Sequence, residues 1–317
     1  MNKLARKLVL SVLTVVLTVV ALGTTTFAWF TLTNTSVIQP FQAQVVSDTG
    51  IEVAIGSTSA DPLTLTWKSV ITTQDIYNYI ESVYGVDAFR FTHVSTVDGR
   101  NFTGVDGLGV VNGYLEIPLH FRSNNEQIIK WKAVNLSSTP ALFRTGVQFV
   151  DSQGVTRLAN SQFNTNLQDA MKISVTGIVV RATNTIGTTA YENPVSETNT
   201  LSGGMTNIDL RGVQEEVLVG GTLQDLYVGV NGAQNYYFRQ TMTLPAGSGT
   251  VTTVPTVTVV NPDADITVLE MSAGNIVTAE AEYYGNIMVR VWFDGWDREG
   301  YNGLLGRMIT IGLTFGV

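Results

Sequence analysis

Apolar and polar positions alternate over many short segments of this chain, which is the pattern of β-strands. Residues 50–55 alternate before a Gly-Ser pair, and further strands are predicted over residues 146–150 and 172–181. Residues 250–260 carry valine or threonine at nearly every position, with one proline inside. Strands at roughly ten-residue spacing, with few helices between them, favour an antiparallel β-sandwich or jelly roll.

Residues 114–122 alternate most regularly, so both faces of this strand can be assigned. One face carries Leu115, Ile117, Leu119 and Phe121, and the other carries Glu116, His120 and Arg122. Pro118 lies in the middle and has no N–H to donate, so we expect an edge strand or a bulge there. His120 is expected to be an exposed strand residue.

The two strongest strand signals lie near the end of the chain, over residues 286–294 and 308–317. Each places four apolar side chains on one face: Ile287, Val289, Val291 and Phe293 in the first, and Ile309, Ile311, Leu313 and Phe315 in the second. We expect the two strands to pair with each other and the last one to be buried. A loop is expected between them, over residues 295–306.

Helical signals are few. One helix is predicted from a cap at Thr72 or Thr73 to Gly85, with an apolar stripe of Ile76, Ile80, Val83 and Tyr84. A second short turn is predicted over residues 167–171. The pairs Tyr236-Tyr237 and Tyr283-Tyr284 are each expected in a strand, with one ring on either face. Residues 184–207 are polar and lack periodicity, so a long exposed loop or a boundary between two lobes is expected there.

The N-terminus is organised like an export signal. Lys3, Arg6 and Lys7 precede an almost wholly apolar run over residues 8–22, and the small Ala28 stands directly before Trp29. This order predicts cleavage between Ala28 and Trp29. The alternative is an uncleaved anchor, because the run reaches about 25 residues if residues 24–32 are included, and a span needs roughly 20.

Composition supports an exported all-β protein and narrows its partners. Charged residues make up 14% of the 317 positions, against roughly a quarter in ordinary domains. The formal net charge is −8, and loss of the three basic signal residues would leave 15 basic against 26 acidic residues, or −11. Nucleic acid is not an expected partner, since binding phosphates needs clustered lysine and arginine. The chain has no cysteine, which excludes disulfides, thiol catalysis and zinc–thiolate sites.

Residues that could carry chemistry are sparse. The two histidines, His93 and His120, lie outside any catalytic spacing, and the H-E-x-x-H, G-x-S-x-G and P-loop patterns do not occur. We therefore predict no catalytic residue and no enzyme activity. Asp294, Asp297 and Glu299 place three carboxylates within six residues, and a hard cation such as Ca²⁺ accepts such oxygens. They are candidate metal ligands, although a solvated turn capped by Asp297 is the simpler interpretation. No other cofactor is expected.

Residues 23–31, Gly-Thr-Thr-Thr-Phe-Ala-Trp-Phe-Thr, resemble the export signals of the TasA/camelysin class of fibre-forming proteins. A dedicated signal peptidase of the SipW type removes those signals. Their apolar region ends in a Gly/Thr-rich stretch, followed by alanine, an aromatic residue, phenylalanine and a Thr- or Asn-rich run. Residues 50–53, 114–122, 170–175 and 291–297 resemble short pieces of a broader set of exported proteins with such signals.

The resemblance implies a jelly-roll subunit of extracellular fibres, in which the N-terminal segment of each subunit completes the sheet of the next. The metallopeptidase label of some members is not carried over, because H-E-x-x-H is missing here. Residues 29–46 suit a donor strand, since Asn34 and Pro40 disfavour a helix and strand addition supplies main-chain hydrogen bonds. The candidate self-assembly residues are Phe30, Leu32, Val37, Ile38, Phe41 and Val45.

The expected organisation is a signal helix over residues 1–28, a candidate donor strand over residues 29–46 and one sandwich domain over residues 47–317. We expect a secreted or cell-surface homopolymer, exported by the Sec machinery and cut by signal peptidase, with other matrix or surface proteins as further partners. One alternative is an exported binding module for glycans or surfaces, with Trp67, Trp131, Trp292 and Trp296 as candidate ring contacts. An exported hydrolase and a pilus subunit with a retained helix are the remaining alternatives.

Overall fold

The computed structural model describes residues 42–46, 50–86, 89–105, 110, 113–193, 207–252, 266–273, 282–301, 304 and 308–317. Within these residues the protein is mostly β, which confirms the all-β prediction. The predicted signal helix lies outside the described residues. The helices that are described are too short and too polar to cross a membrane.

The strands are β1 (Gln42–Val46), β2 (Ile51–Ile55), β3 (Val70–Ile71), β4 (His93–Thr96), β5 (Phe102–Gly104), β6 (Tyr114–Ser123), β7 (Ile128–Ser138), β8 (Ala141–Arg144), β9 (Phe149–Val150), β10 (Thr156–Arg157), β11 (Gln162–Thr165), β12 (Met171–Val180), β13 (Thr185–Glu192), β14 (Asn207–Asp209), β15 (Gln214–Val219), β16 (Thr222–Tyr227), β17 (Thr250–Thr252), β18 (Ile266–Glu270), β19 (Ser272–Ala273), β20 (Tyr283–Asp294) and β21 (Ile309–Gly316). The α-helices are α1 (Thr73–Tyr84) and α2 (Ala233–Thr241), and single 3₁₀ turns cover Pro62–Thr64, Leu167–Asp169 and Arg181–Thr183.

Two larger sheets form the body of the molecule. One has five strands in the order β18-β7-β21-β1-β3, and the other has eight, with the path β13-β12-β20-β4-β5. In the eight-stranded sheet β6 lies between β20 and β2, and β19 also pairs with β20. The remaining described strands form the two-stranded pairs β8/β11, β9/β10, β14/β17 and β15/β16.

The main hydrophobic core lies between these two sheets. Alternate residues of β6, β12 and β20 contribute to it from one side, and alternate residues of β7 and β21 from the other. Phe121 of β6 packs edge-on against Phe315 of β21, with ring centres 5.5 Å apart. Trp131 of β7 is completely buried. Strand alternation thus produces a sandwich with a shared apolar interior.

The expected pairing of the last two strands is wrong, although the expected burial of the last strand is confirmed. β21 pairs antiparallel with β7 and parallel with β1, whereas β20 pairs with β12, β6, β4 and β19 in the other sheet. Ile309, Ile311, Leu313 and Phe315 are all buried. Both strands face the same core from opposite sheets, so both show the same alternation.

Helix α1 begins and ends as the sequence predicts. The Thr72 hydroxyl accepts a hydrogen bond from the Asp75 N–H, the Asp75 carboxylate accepts one from the Thr72 N–H, and Gly85 follows the last turn. The helix lies beside the part of β6 around Pro118 that β2 does not cover. There the Tyr84 hydroxyl accepts a hydrogen bond from the Glu116 N–H at 3.2 Å. Pro118 is therefore at a local edge, as predicted.

Two element predictions are wrong. The expected loop over residues 184–207 begins with strand β13, which pairs with β12 along its whole length; residues 194–206 lie outside the described part. The Tyr236-Tyr237 pair lies in helix α2, with both rings buried. In both cases tertiary packing overrides a local pattern that was polar or short.

Candidate functional site: a buried lysine among three carboxyl groups

Lys172 lies among three carboxyl side chains at one end of the eight-stranded sheet. Its Nζ is 2.9 Å from Asp294 Oδ2, 3.2 Å from Glu192 Oε2 and 3.8 Å from Asp297 Oδ2. All four side chains are 0% exposed. We call these four residues the Lys172 cluster. Burial of so many ionisable groups is unusual, since charged side chains are seldom removed from water without partners.

Neighbouring strands bring the cluster together. Lys172 is the second residue of β12 and stands opposite Glu192, the last residue of β13. Asp294 is the last residue of β20, and its N–H donates to the carbonyl oxygen of Ala170 at 2.9 Å. Asp297 follows in a turn, where its N–H donates to the Asp294 carbonyl at 3.2 Å. Three adjacent strands and one tight turn therefore fix the four side chains.

Each aspartate of the cluster uses one oxygen for the turn and directs the other at the lysine. The Trp296 N–H donates to Asp294 Oδ1 at 3.0 Å, and the Glu299 N–H donates to Asp297 Oδ1 at 3.0 Å. Helix α2 holds the turn from outside, because Gln234 Nε2 donates to the Trp296 carbonyl at 3.0 Å. The carboxyl groups are thus held in orientation by backbone donors.

Apolar side chains cover this face of the sheet. Trp292 stands opposite Lys172 in the β12–β20 register, so both lie on the same face. Phe102 packs edge-on to Trp292 at 5.2 Å and stacks on Tyr114 at 3.9 Å between ring centres. Val94 is completely buried in the same group. Exclusion of water strengthens every electrostatic interaction inside the cluster.

The cluster contains more acid than base. Three ionised carboxylates and one ammonium would leave two uncompensated negative charges away from water, which is costly. Burial and the repulsion of Asp297 raise the pKa of Glu192 to about 7, against the opposing effect of Lys172. Burial works to lower the pKa of Lys172, but the three facing carboxylates raise it above its ordinary value. The cluster therefore retains protons that exposed carboxyl groups would have lost by pH 7.

Glu299, directly beside the cluster, behaves in the same way. Burial, together with repulsion by Asp297, raises the pKa of Glu299 to about 9, so this side chain is a neutral acid at pH 7. Within the described residues, no three His, Asp or Glu side chains are arranged to hold a metal ion. The Lys172 ammonium supplies positive charge between Asp294 and Asp297. A calcium ion held by Asp294, Asp297 and Glu299 stays a prediction.

Sequence reasoning found Asp294 and Asp297 but missed their partners. Lys172 alternates with the core residue Ile173, so the pattern places it on the outer face of β12, where lysine is ordinarily exposed. Glu192 fell inside the predicted loop. The one available signal was a single charged residue within an otherwise uncharged strand. That signal does not show that a further layer covers the outer face.

The expectation of an exposed His120 is wrong. His120 is buried, and its Nε2 lies 3.2 Å from the Gly56 carbonyl and 3.0 Å from the Ser57 carbonyl. Two carbonyl acceptors place the proton on Nε2, so Nδ1 accepts from the Tyr284 hydroxyl at 2.5 Å. Burial lowers the pKa of His120, while these carbonyl contacts oppose the shift. The turn after β2 covers this face, which alternation within β6 alone cannot reveal.

The tryptophans do not form an exposed row. Trp131 and Trp292 are completely buried and Trp296 nearly so, so these three side chains pack in the interior. Trp67 is half-buried, donates to the Pro62 carbonyl at 3.1 Å and lies under the Arg122 guanidinium at 4.8 Å. The tryptophans therefore provide no platform for stacking sugar rings.

The predicted cleavage residues Ala28 and Trp29 lie outside the described residues. So do the self-assembly candidates Phe30, Leu32, Val37, Ile38 and Phe41. Val45 is described as part of β1, where its backbone pairs with Leu313 of β21 and with Ile71 of β3. The last five residues of the candidate donor segment thus belong to a sheet of their own chain.

Comparisons with family models, curated proteins and solved structures found no match to this chain.

Proposed function

We propose that this chain is an exported structural subunit that assembles with copies of itself into extracellular or cell-surface fibres by strand addition. The observation that carries the proposal is the position of β1. This N-terminal strand runs parallel to β21 and antiparallel to the two-residue strand β3. Only residues 47–49 separate it from Gly50, which starts the next described segment.

An N-terminal strand in such a position is suited to exchange between subunits. If β1 of one subunit paired with β21 of the next, every main-chain hydrogen bond of the pair would be kept, so the exchange would cost little energy. The preceding residues 29–41 would then bridge the two subunits. Repetition of the same contact from one subunit to the next gives a filament when the operation does not close into a ring.

The remaining parts of the proposal come from the sequence. The TasA/camelysin-like signal supports export and cleavage by a SipW-type peptidase, and the sandwich is taken to be of the jelly-roll kind. The mature charge of about −11 opposes association of subunits at neutral pH and low salt. Assembly should therefore be favoured as the pH falls towards the pI of the mature chain, which lies below the value of about 4.8 for the full sequence because three basic residues are lost.

The test compares the mature chain, residues 29–317, with two altered forms. One form lacks residues 29–46, and the other carries Ile38→Asp and Phe41→Asp. We expect regular filaments from the mature chain in negative-stain microscopy at pH 5 and at pH 7, and folded monomers from both altered forms. A synthetic peptide of residues 29–46 should bind the shortened form, and a scrambled peptide should not.

A matched control places the same two charges elsewhere. Leu218→Asp and Leu223→Asp alter exposed, directly paired residues of the β15–β16 hairpin, and this variant should still form filaments. Filaments from the shortened form would contradict strand donation. Unfolding of the shortened form as a monomer would make β1 an ordinary intramolecular strand.

The second candidate function is an exported binding module. It is favoured by an open groove of about 340 Å³ on the eight-stranded sheet, lined by residues that include Thr176, Arg181, Tyr284 and Met288. The groove combines a guanidinium, a phenol and an apolar floor, which suits a glycan. A saturable signal on a glycan array, lost on Arg181→Ala, would support this function, and it would gain further if no filaments form.

A further inference from the structure

Lys172 and Asp294 are placed as two groups about to react. Nζ of Lys172 lies 2.9 Å from Asp294 Oδ2, and the carboxyl carbon is one bond further on. The approach does not have the angles of a hydrogen bond. Reacting atoms held about 3–3.5 Å apart gain a large rate advantage over free reactants. Both side chains are 0% exposed, so water does not compete for either group.

We propose that Lys172 and Asp294 join in an intramolecular amide bond, with Glu192 as the group that transfers the protons. The bond is a covalent modification of the chain by itself and needs no other enzyme or cofactor. It would tie the beginning of β12 to the end of β20, two adjacent strands of the eight-stranded sheet. The inference does not depend on the proposed fibre function.

The reaction balances without an oxidant or activating reagent. Lys172 transfers one proton to the Glu192 carboxylate, 3.2 Å away, and Glu192 passes it to the Asp294 carboxylate. The neutral amine then attacks Cγ of the neutral Asp294 carboxyl group, and the C–N bond forms. The nitrogen gives its second proton to Glu192, which passes it to the hydroxyl group on the tetrahedral carbon, and that hydroxyl group leaves as water. The products are a secondary amide and one water molecule. Glu192 thus acts first as base for the amine and then as acid for the leaving group.

Groups around Lys172 and Asp294 would assist the individual steps of this reaction. The Trp296 N–H donates to Asp294 Oδ1 at 3.0 Å, where it would stabilise the negative charge that forms on that oxygen. The Glu192 carboxyl group is 0% exposed and its Oε2 lies 3.2 Å from Lys172 Nζ, so it is placed to take up and return protons without exchange with bulk water. A buried ion pair loses the hydration of both charges, but the three facing carboxylates hold the proton on Lys172, so Glu192 has to take up that proton before the amine can attack.

Asp294 is preferred over the other two acids on geometry. Glu192 Oε2 is 3.2 Å and Asp297 Oδ2 is 3.8 Å from the lysine nitrogen, against 2.9 Å for Asp294. Asp294 is also the acid whose second oxygen faces a backbone donor from the turn beyond it. Asp297 has a similar donor from Glu299, but its lysine-facing oxygen is the most distant.

The same chain contains a matched comparison on its surface. Lys68 Nζ lies 2.6 Å from Asp75 Oδ1, closer than in the buried pair, but the side chains are 38% and 23% exposed. Water solvates both charged groups there and competes for each of them, so the pair is not isolated from solvent as the buried pair is. We expect no amide between Lys68 and Asp75.

Mass spectrometry of the intact folded chain tests the proposal. The mature protein should be lighter than its sequence mass by one water, and peptide mapping should recover one branched product joining Lys172 to Asp294, with Lys68 still cleaved by trypsin. A Lys68→Arg variant should show the same loss of one water. An intact mass equal to the sequence mass would overturn the proposal, as would a loss of water mapped to any other residue.

Four variants separate the roles of the residues. Lys172→Arg and Asp294→Ala should have their full sequence masses. Asp294→Asn should lose ammonia instead of water, because the amide nitrogen becomes the leaving group; this variant keeps the size of the side chain and guards against failure to fold. Glu192→Gln should slow bond formation at least tenfold in a time course. Bond formation at an unchanged rate in Glu192→Gln would remove Glu192 from the mechanism.

Discussion

The buried side chain of His93 makes the stability of the fold depend on pH in the acid range. It lies in β4 with its ring edge-on to Phe293, 5.1 Å between ring centres. Burial lowers the pKa of His93 from 6.5 to about 4. Between these values the unfolded chain binds a proton that the folded chain does not, so the unfolding free energy falls as the pH is lowered from 6.5 towards 4.

We therefore expect the unfolding free energy of a His93→Gln variant to fall less than that of the wild type when the pH is lowered. Urea unfolding at pH 7 and at pH 4.5 should give a loss of unfolding free energy that is about 2–3 kcal/mol larger in the wild type than in the variant. Glu192 acts in the opposite direction, since its raised pKa removes stability as the pH rises from 4.5 through 7. Both chains carry Glu192, so its effect cancels in the comparison. Parallel losses in the two chains would contradict the assignment to His93.

At the scale of residues, the sequence shows which side chains carry ionisable groups, but it does not show whether those side chains are buried. The carboxylates of Asp294 and Asp297 were recognisable as a group because they are neighbours in the chain. Lys172 lies more than a hundred positions away, and His120 looked exposed because alternation distinguishes only two faces of a strand. A second covering layer also buries part of the outer faces of β6 and β12, including His120 and Lys172. That layer is formed by distant parts of the chain, so the sequence of a single strand does not reveal it.

Strand β21 is an element whose removal should be costly, since it lies inside the five-stranded sheet between β7 and β1. Leu313 is 5% exposed and pairs with Val134 of β7. Leu313→Ala should lower the unfolding free energy by about 2–5 kcal/mol, because it removes buried carbon atoms and leaves a cavity. Denaturant unfolding of the full chain measures the loss.

The control is Leu218→Ala in the β15–β16 hairpin, where the side chain is 63% exposed. It should change the unfolding free energy by less than about 0.5 kcal/mol. A similarly small loss for Leu313→Ala would mean that Leu313 faces solvent and that the register of β21 is wrong.

At the scale of elements, a helix or strand can be predicted when residues close together in the sequence determine its conformation. Helix α1 was predictable to its caps, because Thr72, Asp75 and Gly85 satisfy its ends through local hydrogen bonds. Helix α2 was not, because six consecutive residues from Ala233 are buried and no polar face marks a helical period. β13 is rich in threonine, and its pairing with β12 decides its conformation.

At the scale of the whole molecule, the sandwich was predictable but the sheet to which each strand belongs was not. β20 and β21 carry the same alternation, because each turns one face to the common core. Pairing partners are chosen by contacts over long sequence separations, such as those of β6 with β20 and β7 with β21. Alternation shows that one face of a strand packs against a core, but it does not show which strands pair with that strand.

A short segment of the chain separates the predicted cleavage site from the first described strand. Residues 29–41 lie between Ala28 and the start of β1, and thirteen extended residues reach about 45 Å. A membrane peptidase could therefore reach the bond after Ala28 while the sandwich is already folded. We expect exported protein to begin at Trp29 or within two residues of it, as measured by N-terminal sequencing or by intact mass. Material that retains residues 1–7 would contradict this and favour a membrane anchor or a pilus subunit. Ala28→Leu should block cleavage, because signal peptidases need a small residue there, and Thr24→Ser should leave the cleavage site unchanged.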